Sequence, residues 1–194
     1  MGLEIEPAQI EATELVSPVP PQQIITGSLQ EYTVSVTTRT GVYPKTGKLV
    51  ITLPAEVSLS SQSTCSCQSA STLYELTCQP SSQQRQLTIT HSGPQTFTGI
   101  PLLVTVSQVQ NPPSTKESGY AQVHAFLKTN GAFYLTEHMT EAFRVQANTP
   151  NTLRSVSVQR SVAVVSQFTD LEVCFTPFNP LPQGAQVTLV TNPE

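Results

Sequence analysis

The sequence predicts an all-β protein built from antiparallel strands, and three observations lead there. Ser and Thr supply 46 of the 194 residues, with 19 Gln and 16 Pro; Thr and Val suit pleated strands, while Pro marks turns and edges. Apolar residues alternate with polar ones, as at Leu102, Val104 and Val106 or at Ala121, Val123, Ala125 and Leu127. That period of two is the signature of a strand with one buried face. Turn signals such as "HSGPQ", "QNPPS" and "KTNG" separate the runs.

Strands are expected at 22–26, 31–39, 48–54, 57–60, 72–79, 85–91, 101–110, 119–129 and 142–147. In the third run Leu49, Ile51 and Leu53 share one face and Val50 and Thr52 the other; Phe143 and Val145 share a face in the last. The segment "TEHMTEAF" (136–143) is compatible with one helical turn. Short strands with turns about every 8–12 residues argue for an antiparallel β-sandwich of immunoglobulin-like architecture, with a barrel as the alternative.

The chain also repeats itself. Tyr32–Val36 (YTVSV) aligns with Leu171–Phe175 (LEVCF) at an offset of 139 residues. After one gap, Pro44, Lys48, Leu49 and Ile51 align with Pro182, Gln186, Val187 and Leu189 at an offset of 138. Weaker matches extend backwards: "LEIEP" (3–7) resembles "FRVQA" (143–147), and "TELVS" (13–17) sits where "TLRSV" (152–156) lies. The repeat implies three parts. Residues 1–12 form a terminal strand and linker of a preceding unit, 13–147 a complete sandwich, and 148–194 the opening strands of a following, incomplete unit. Half a sandwich cannot bury its apolar face and leaves open edges. The expected assembly strands are therefore those carrying Leu3 and Ile5, Leu171, Val173 and Phe175, and Val187 and Leu189, completed in cis or by another chain.

The stretch "FTPFNPLPQGAQVTLVTNP" has an aromatic strand, an Asn–Leu–Pro–Gly turn and a strand ending near Pro, at Phe175, Asn179, Leu181, Pro182 and Gly184. In this it resembles repeat units of very large secreted or surface proteins of protists, over about 25 residues seen twice. The first copy departs from the pattern, with Val42-Tyr43-Pro44-Lys45 in its turn. The resemblance implies a tandem extracellular architecture and no specific activity.

Four cysteines are the sharpest chemical feature. Cys65, Cys67 and Cys78 lie together in "STCSCQSASTLYELTC", but a fourth ligand at zinc-site spacing is absent. In this Ser/Thr-rich, β-strand setting a disulfide is expected, Cys67–Cys78 or Cys65–Cys78, leaving one cysteine over. Cys174 lies opposite Leu171, Val173 and Phe175 by alternation. It faces away from the core, so either it and the leftover cysteine are free thiols or they link neighbouring units.

No catalytic constellation emerges. His91, His124 and His138 are scattered, and His138 with Glu141 is only a weak metal or base suggestion on a surface turn. One Asp, Asp170, is present and there is no G-x-S-x-G elbow. The sequence calls for no cofactor and no metal. The interunit segment "NTPNTLRSVSVQ" has no carboxylate, which argues against calcium stiffening.

Charge points away from nucleic acid. The net charge is −4, and no basic stripe appears. Glu4, Glu6, Glu11, Glu14 and Glu31 precede or accompany no Lys or Arg before Arg39, so the acidic N-terminal arm is either a solvated linker or meets a basic neighbour. No apolar run reaches membrane-spanning length. No N-glycosylation sequon occurs, while Ser/Thr clusters at 58–72 and 112–115 would accept O-linked glycans.

Two function classes follow. The first is a non-catalytic, structural repeat segment of an extracellular filament, stalk or surface coat, whose partners are copies of itself or adjacent units. The alternative is an adhesin or carbohydrate-binding module, with Tyr43, Tyr120 and Tyr134 as its loop aromatics.

Overall fold

The computed structural model describes residues 6–16, 24–69, 75–161, 168–181 and 183–190. The described residues form strands and turns without helices, and the chain divides into two compact units, Met1–Pro150 and Asn151–Glu194. The first holds β1 (Ala8–Gln9), β2 (Ala12–Val16), β3 (Leu29–Thr37), β4 (Gly47–Thr52), β5 (Ser58–Leu59), β6 (Cys65–Ser69), β7 (Leu76–Ser81), β8 (Gln86–His91), β9 (Leu102–Gln110), β10 (Gln122–Thr129) and β11 (Ala132–Met139). The second holds β12 (Arg154–Arg160) and β13 (Leu171–Thr176).

The first unit is a β-sandwich. One sheet has the order β1-β11-β10-β4-β8-β7, antiparallel except for the short parallel β1–β11 pair. The other runs β2-β3-β9, and β5 and β6 follow one another along the far edge of β9. Alternation decides which side chains meet between them. Leu49, Ile51, Leu87, Ile89 and Val123 come from the first sheet, and Tyr32, Val34, Val36, Leu102, Val104 and Val106 from the second; all are buried in one core. Each aliphatic side chain so buried contributes about 1.5–3 kcal/mol relative to exposure.

Both edges of the sandwich are tied. At one edge the chain passes from β1 to β2, and Ile10 enters the core between them. There the Ile10 amide donates to the His138 carbonyl and the Glu11 amide to the Thr37 carbonyl, each at 3.1 Å. Beside this crossing Glu137 of β11 is fully buried. Its carboxylate accepts from the backbone amides of Arg39 (2.9 Å), Thr40 and Gly41 (3.1 Å) and from the Thr40 hydroxyl. A buried charge persists only with such a full set of donors. Gly41 makes the turn possible, with φ +93° and the Phe97 carbonyl 2.6 Å from where a Cβ would stand.

Several expected elements differ in the structure. Residues 132–139 form β11 rather than leaving a helical turn at 136–143: Asn130 (φ +53°) and Gly131 (φ +84°) make the tight turn that folds β11 back on β10. Thr136 is the extra residue of a bulge between the Ala125–Glu137 and Phe126–Leu135 pairs, which breaks the strand alternation of the sequence. The strand β6 escapes the hydrophobic pattern because CSCQS carries no aliphatic side chain. Residues 142–147 are extended but make no ladder; Phe143 and Val145 are buried, and their carbonyls accept from Ala121 and Ser118. Of 22–26, Ile25 makes only an isolated bridge to Thr149. Of the residues 1–12 that the repeat gives to a preceding unit, Ala8, Gln9 and Ile10 pack on β11 of the first unit.

Replacing Glu137 by Ala orphans three turn amides, and chemical denaturation is expected to show a loss of about 3 kcal/mol for the first unit. Glu141→Ala, at an exposed position, is expected to change stability by less than about 0.5 kcal/mol.

Candidate functional site

The strands expected to assemble sit in the second unit. β12 and β13 pair antiparallel, with Val158 opposite Val173 and Ser157 opposite Cys174. The first unit pairs β2 with β3 in the same sense, with Leu15 opposite Val34 and Glu14 opposite Ser35. Val34 and Ser35 are the residues aligned with Val173 and Cys174, but Val158 and Ser157 take the places of Leu15 and Glu14, so the pairing does not follow the weaker match of 13–17 with 152–156. The two copies differ in what covers them. On β3, Tyr32, Val34 and Val36 are at most 3% exposed, and β9 pairs along the strand's other edge from Leu29 to Val36. On β13, Leu171 is 58% exposed, and Val158 across from Val173 is 62% exposed. Val173 and Phe175 are half-buried. Among the described residues no strand pairs with β13 except β12.

The second strand expected at Val187 and Leu189 is not formed; both residues lie in irregular chain and are 52% and 64% exposed. The physical reason lies in its aligned copy. β4 is held between β8 and β10 by ladders on both edges, and the described part of the second unit offers neither neighbour. Leu3 and Ile5 lie outside the described residues.

Of the two cysteine pairings left open by the sequence, the structure has Cys65–Cys78. The bond joins β6, at the edge of one sheet, to β7, at the edge of the other, and so ties the sandwich opposite the Glu137 edge. Cys67 is free and half-buried, and burial pushes its pKa up to about 12, which keeps it a thiol. Cys174 is free and exposed. No group of three or more His, Cys, Asp or Glu gathers among the described residues.

The histidines separate by face. His91 is buried, and its pKa is lowered by that burial. His124 and His138 stand directly opposite each other on β10 and β11; the pKa of His124 is lowered by burial and then by its neighbour. His138 and Glu141 line a shallow cleft of about 230 Å³ with Gln9, Met139 and Thr140. A pair 14 positions apart in sequence becomes adjacent only once the β10–β11 register is known, so spacing alone misses it.

The outer face of the six-stranded sheet carries a second surface that sequence reasoning missed. Val123 and Ala125 point into the core, so His124, Phe126 and Lys128 of β10 point outward. The register then puts Leu135 beside Phe126, Phe133 beside Lys128, and Lys48 of β4 on the other side of Phe126. The Lys48 ammonium lies 4.1 Å from the Phe133 ring centre and 5.1 Å from that of Phe126, and Lys128 lies 5.7 Å from Phe133. Phe133 is 46% exposed. Of the expected loop aromatics, Tyr134 lies on β11, Tyr120 stacks under Arg144 at 3.9 Å, and Tyr43 borders a cleft of about 380 Å³ shared with Leu127 and Leu135.

No protein-family model matches the chain, and no curated protein matches it. Among solved structures it is similar to BslA, a bacterial hydrophobin, at 10% identity and TM-score 0.41, over 71% of this chain and 99% of that one. It is similar to the collagen-binding domain of a Staphylococcus aureus adhesin at 6% identity and TM-score 0.41, over 69% and 96%. For the reeler domain of human F-spondin the values are 12% and 0.34, over 73% and 92%. At such values the similarities carry no argument, and the assignment as a β-sandwich rests on the strand pairing described above.

Reduction of Cys65–Cys78, which closes a loop of sequence separation 13, is expected to cost the first unit about 2–3 kcal/mol in a denaturation experiment. A maleimide is expected to label Cys174 in the folded protein at once, and Cys67 only on unfolding. His91 titrates in the unfolded chain near its ordinary pKa and lower in the folded one, so protonation favours unfolding. Stability is therefore expected to fall as pH drops from about 7 to 5, with a shallower dependence in His91→Gln.

Proposed function

We propose that the chain is a non-catalytic, structural segment of an extracellular filament, stalk or surface coat, built from tandem β-sandwich units of immunoglobulin-like type. One observation carries the reading: β13 aligns with β3 and pairs with the strand before it as β3 does, yet Leu171 is exposed and Val173 and Phe175 only half-buried where β3 buries Tyr32, Val34 and Val36. A sheet whose apolar face and edge are both open gains stability from any strand that completes it. Completion comes from residues that follow in cis or from a neighbouring subunit. A disulfide between the sheets supports an oxidising compartment, and Cys174, free and exposed, is the residue that would cross-link neighbours. The resemblance of the Phe175–Gly184 turn to tandem surface repeats agrees with this.

A second reading, an adhesin or carbohydrate-binding module, draws on the aromatic and basic outer face of the six-stranded sheet.

The structural reading is tested by electron microscopy and sedimentation of the protein with both Leu171 and Phe175 changed to Glu. The natural sequence is expected to form elongated, concentration-dependent assemblies, and the variant to lose them while the melting of the first unit stays unchanged. Assemblies that survive both charges overturn it.

A further inference from the structure

The outer face of the six-stranded sheet differs from the chain as a whole. The protein is acidic, with net charge −4, yet the titratable side chains that β4, β8, β10 and β11 turn outward are Lys48, Lys128, His124 and His138, all basic. The carboxylate on β11, Glu137, points inward and is consumed by the 39–41 turn. Neither lysine is paired with a carboxylate among the described residues; the ion pair there is Arg144–Glu117. Instead both ammonium groups converge on the Phe133 ring.

We propose that this face binds an acidic polysaccharide bearing carboxylates, laid across β4, β10 and β11. Phe126, Phe133 and Leu135 present a flat apolar surface of the kind that receives the C–H face of a sugar ring. The two lysine ammonium groups lie beside it, 4.1 and 5.7 Å from the Phe133 ring centre, within reach of the carboxylates of a ligand laid on the ring. Cation–ring contacts at an exposed site are weak, on the order of 0.5–1 kcal/mol, so the ammonium groups exchange readily from ring to ligand. The cations here are lysine ammonium groups, compact point charges, with no guanidinium at the strands' outer positions; the dextran sulfate arm of the test separates sulfate from carboxylate. A single-stranded nucleic acid also favours basic grooves with aromatic rings, but the disulfide joining the two sheets fits an oxidising, extracellular setting where such polysaccharides occur. Beyond Leu135 the cleft is lined by Glu6, which closes the face to anions on that side.

The proposal rests on the carbohydrate-binding reading and is independent of assembly through β13. Its test is calorimetric titration of the whole chain with oligogalacturonate, neutral dextran, dextran sulfate and oligo(dT). Oligogalacturonate is expected to bind, more weakly as salt rises. The Lys48→Gln/Lys128→Gln double variant is expected to bind about tenfold less tightly, each exposed charge being worth up to about one kcal/mol. Phe133→Ala, at an exposed position that leaves the fold intact, is expected to weaken binding as well. Equal binding by the lysine double variant overturns the proposal, as does tighter binding of dextran sulfate or oligo(dT). Dextran binding as tightly as oligogalacturonate removes the acidic class but keeps the carbohydrate reading; no binding by any of the four removes both.

Discussion

A sheet with one apolar face must cover that face, and the two units of this protein differ in how far they meet that demand. In the first unit two sheets cover each other, and the alternation of Leu49 and Ile51 on one side and Val34 and Val36 on the other makes a single core. The sandwich is then held shut at opposite edges by different chemistry: a covalent bond between β6 and β7, and a buried carboxylate that organises the 39–41 turn under β11. Neither would have a purpose without the core, since each acts only by keeping the two sheets in register. In the second unit the same kind of hairpin forms, but among the described residues no further strand pairs with β13 and Leu171 stays exposed.

The sequence made the core strands legible because their aliphatic residues recur at every second position; β8, β9 and β10 lie within expected runs, and β3 and β4 overlap theirs but begin two residues and one residue earlier. Tyr32–Val36 and Leu171–Phe175, which share their alternation, both lie in strands, β3 and β13. What the sequence hid has physical causes. β6 is built from Cys, Ser and Gln, and pairs because β9 offers an edge. β11 changes face at the bulge of Thr136 and carries a buried glutamate where an apolar residue would be expected. Tertiary hydrogen bonds make Glu137 a core residue, and no periodicity reports them. The Lys48, Lys128, Phe126 and Phe133 surface is assembled from two strands of a hairpin and one strand far away in sequence, so only the register reveals it.

The cysteines divide by the same logic. Those at 65 and 78 meet because β6 and β7 lie on facing edges, Cys67 is kept protonated by the burial of its side chain, and Cys174 stays in solvent because it faces away from Val173 and Phe175. Where a strand has no neighbour, as around Val187 and Leu189, it does not form; strands are made by their partners as much as by their own residues. On the proposed function, that dependence is what would make the open hairpin an assembly element.

The most direct measurement is amide hydrogen exchange along β13 in the natural, assembled protein, with β3 as the internal standard. If the second unit is completed as the first one is, successive β13 amides all exchange as slowly as those of β3, because both edges of the strand are then paired; protection confined to alternate amides, those facing β12, means that the other edge stays open. If β13 exchanges at the rate of unfolded chain while β3 is protected, nothing completes the hairpin and the account of assembly is wrong.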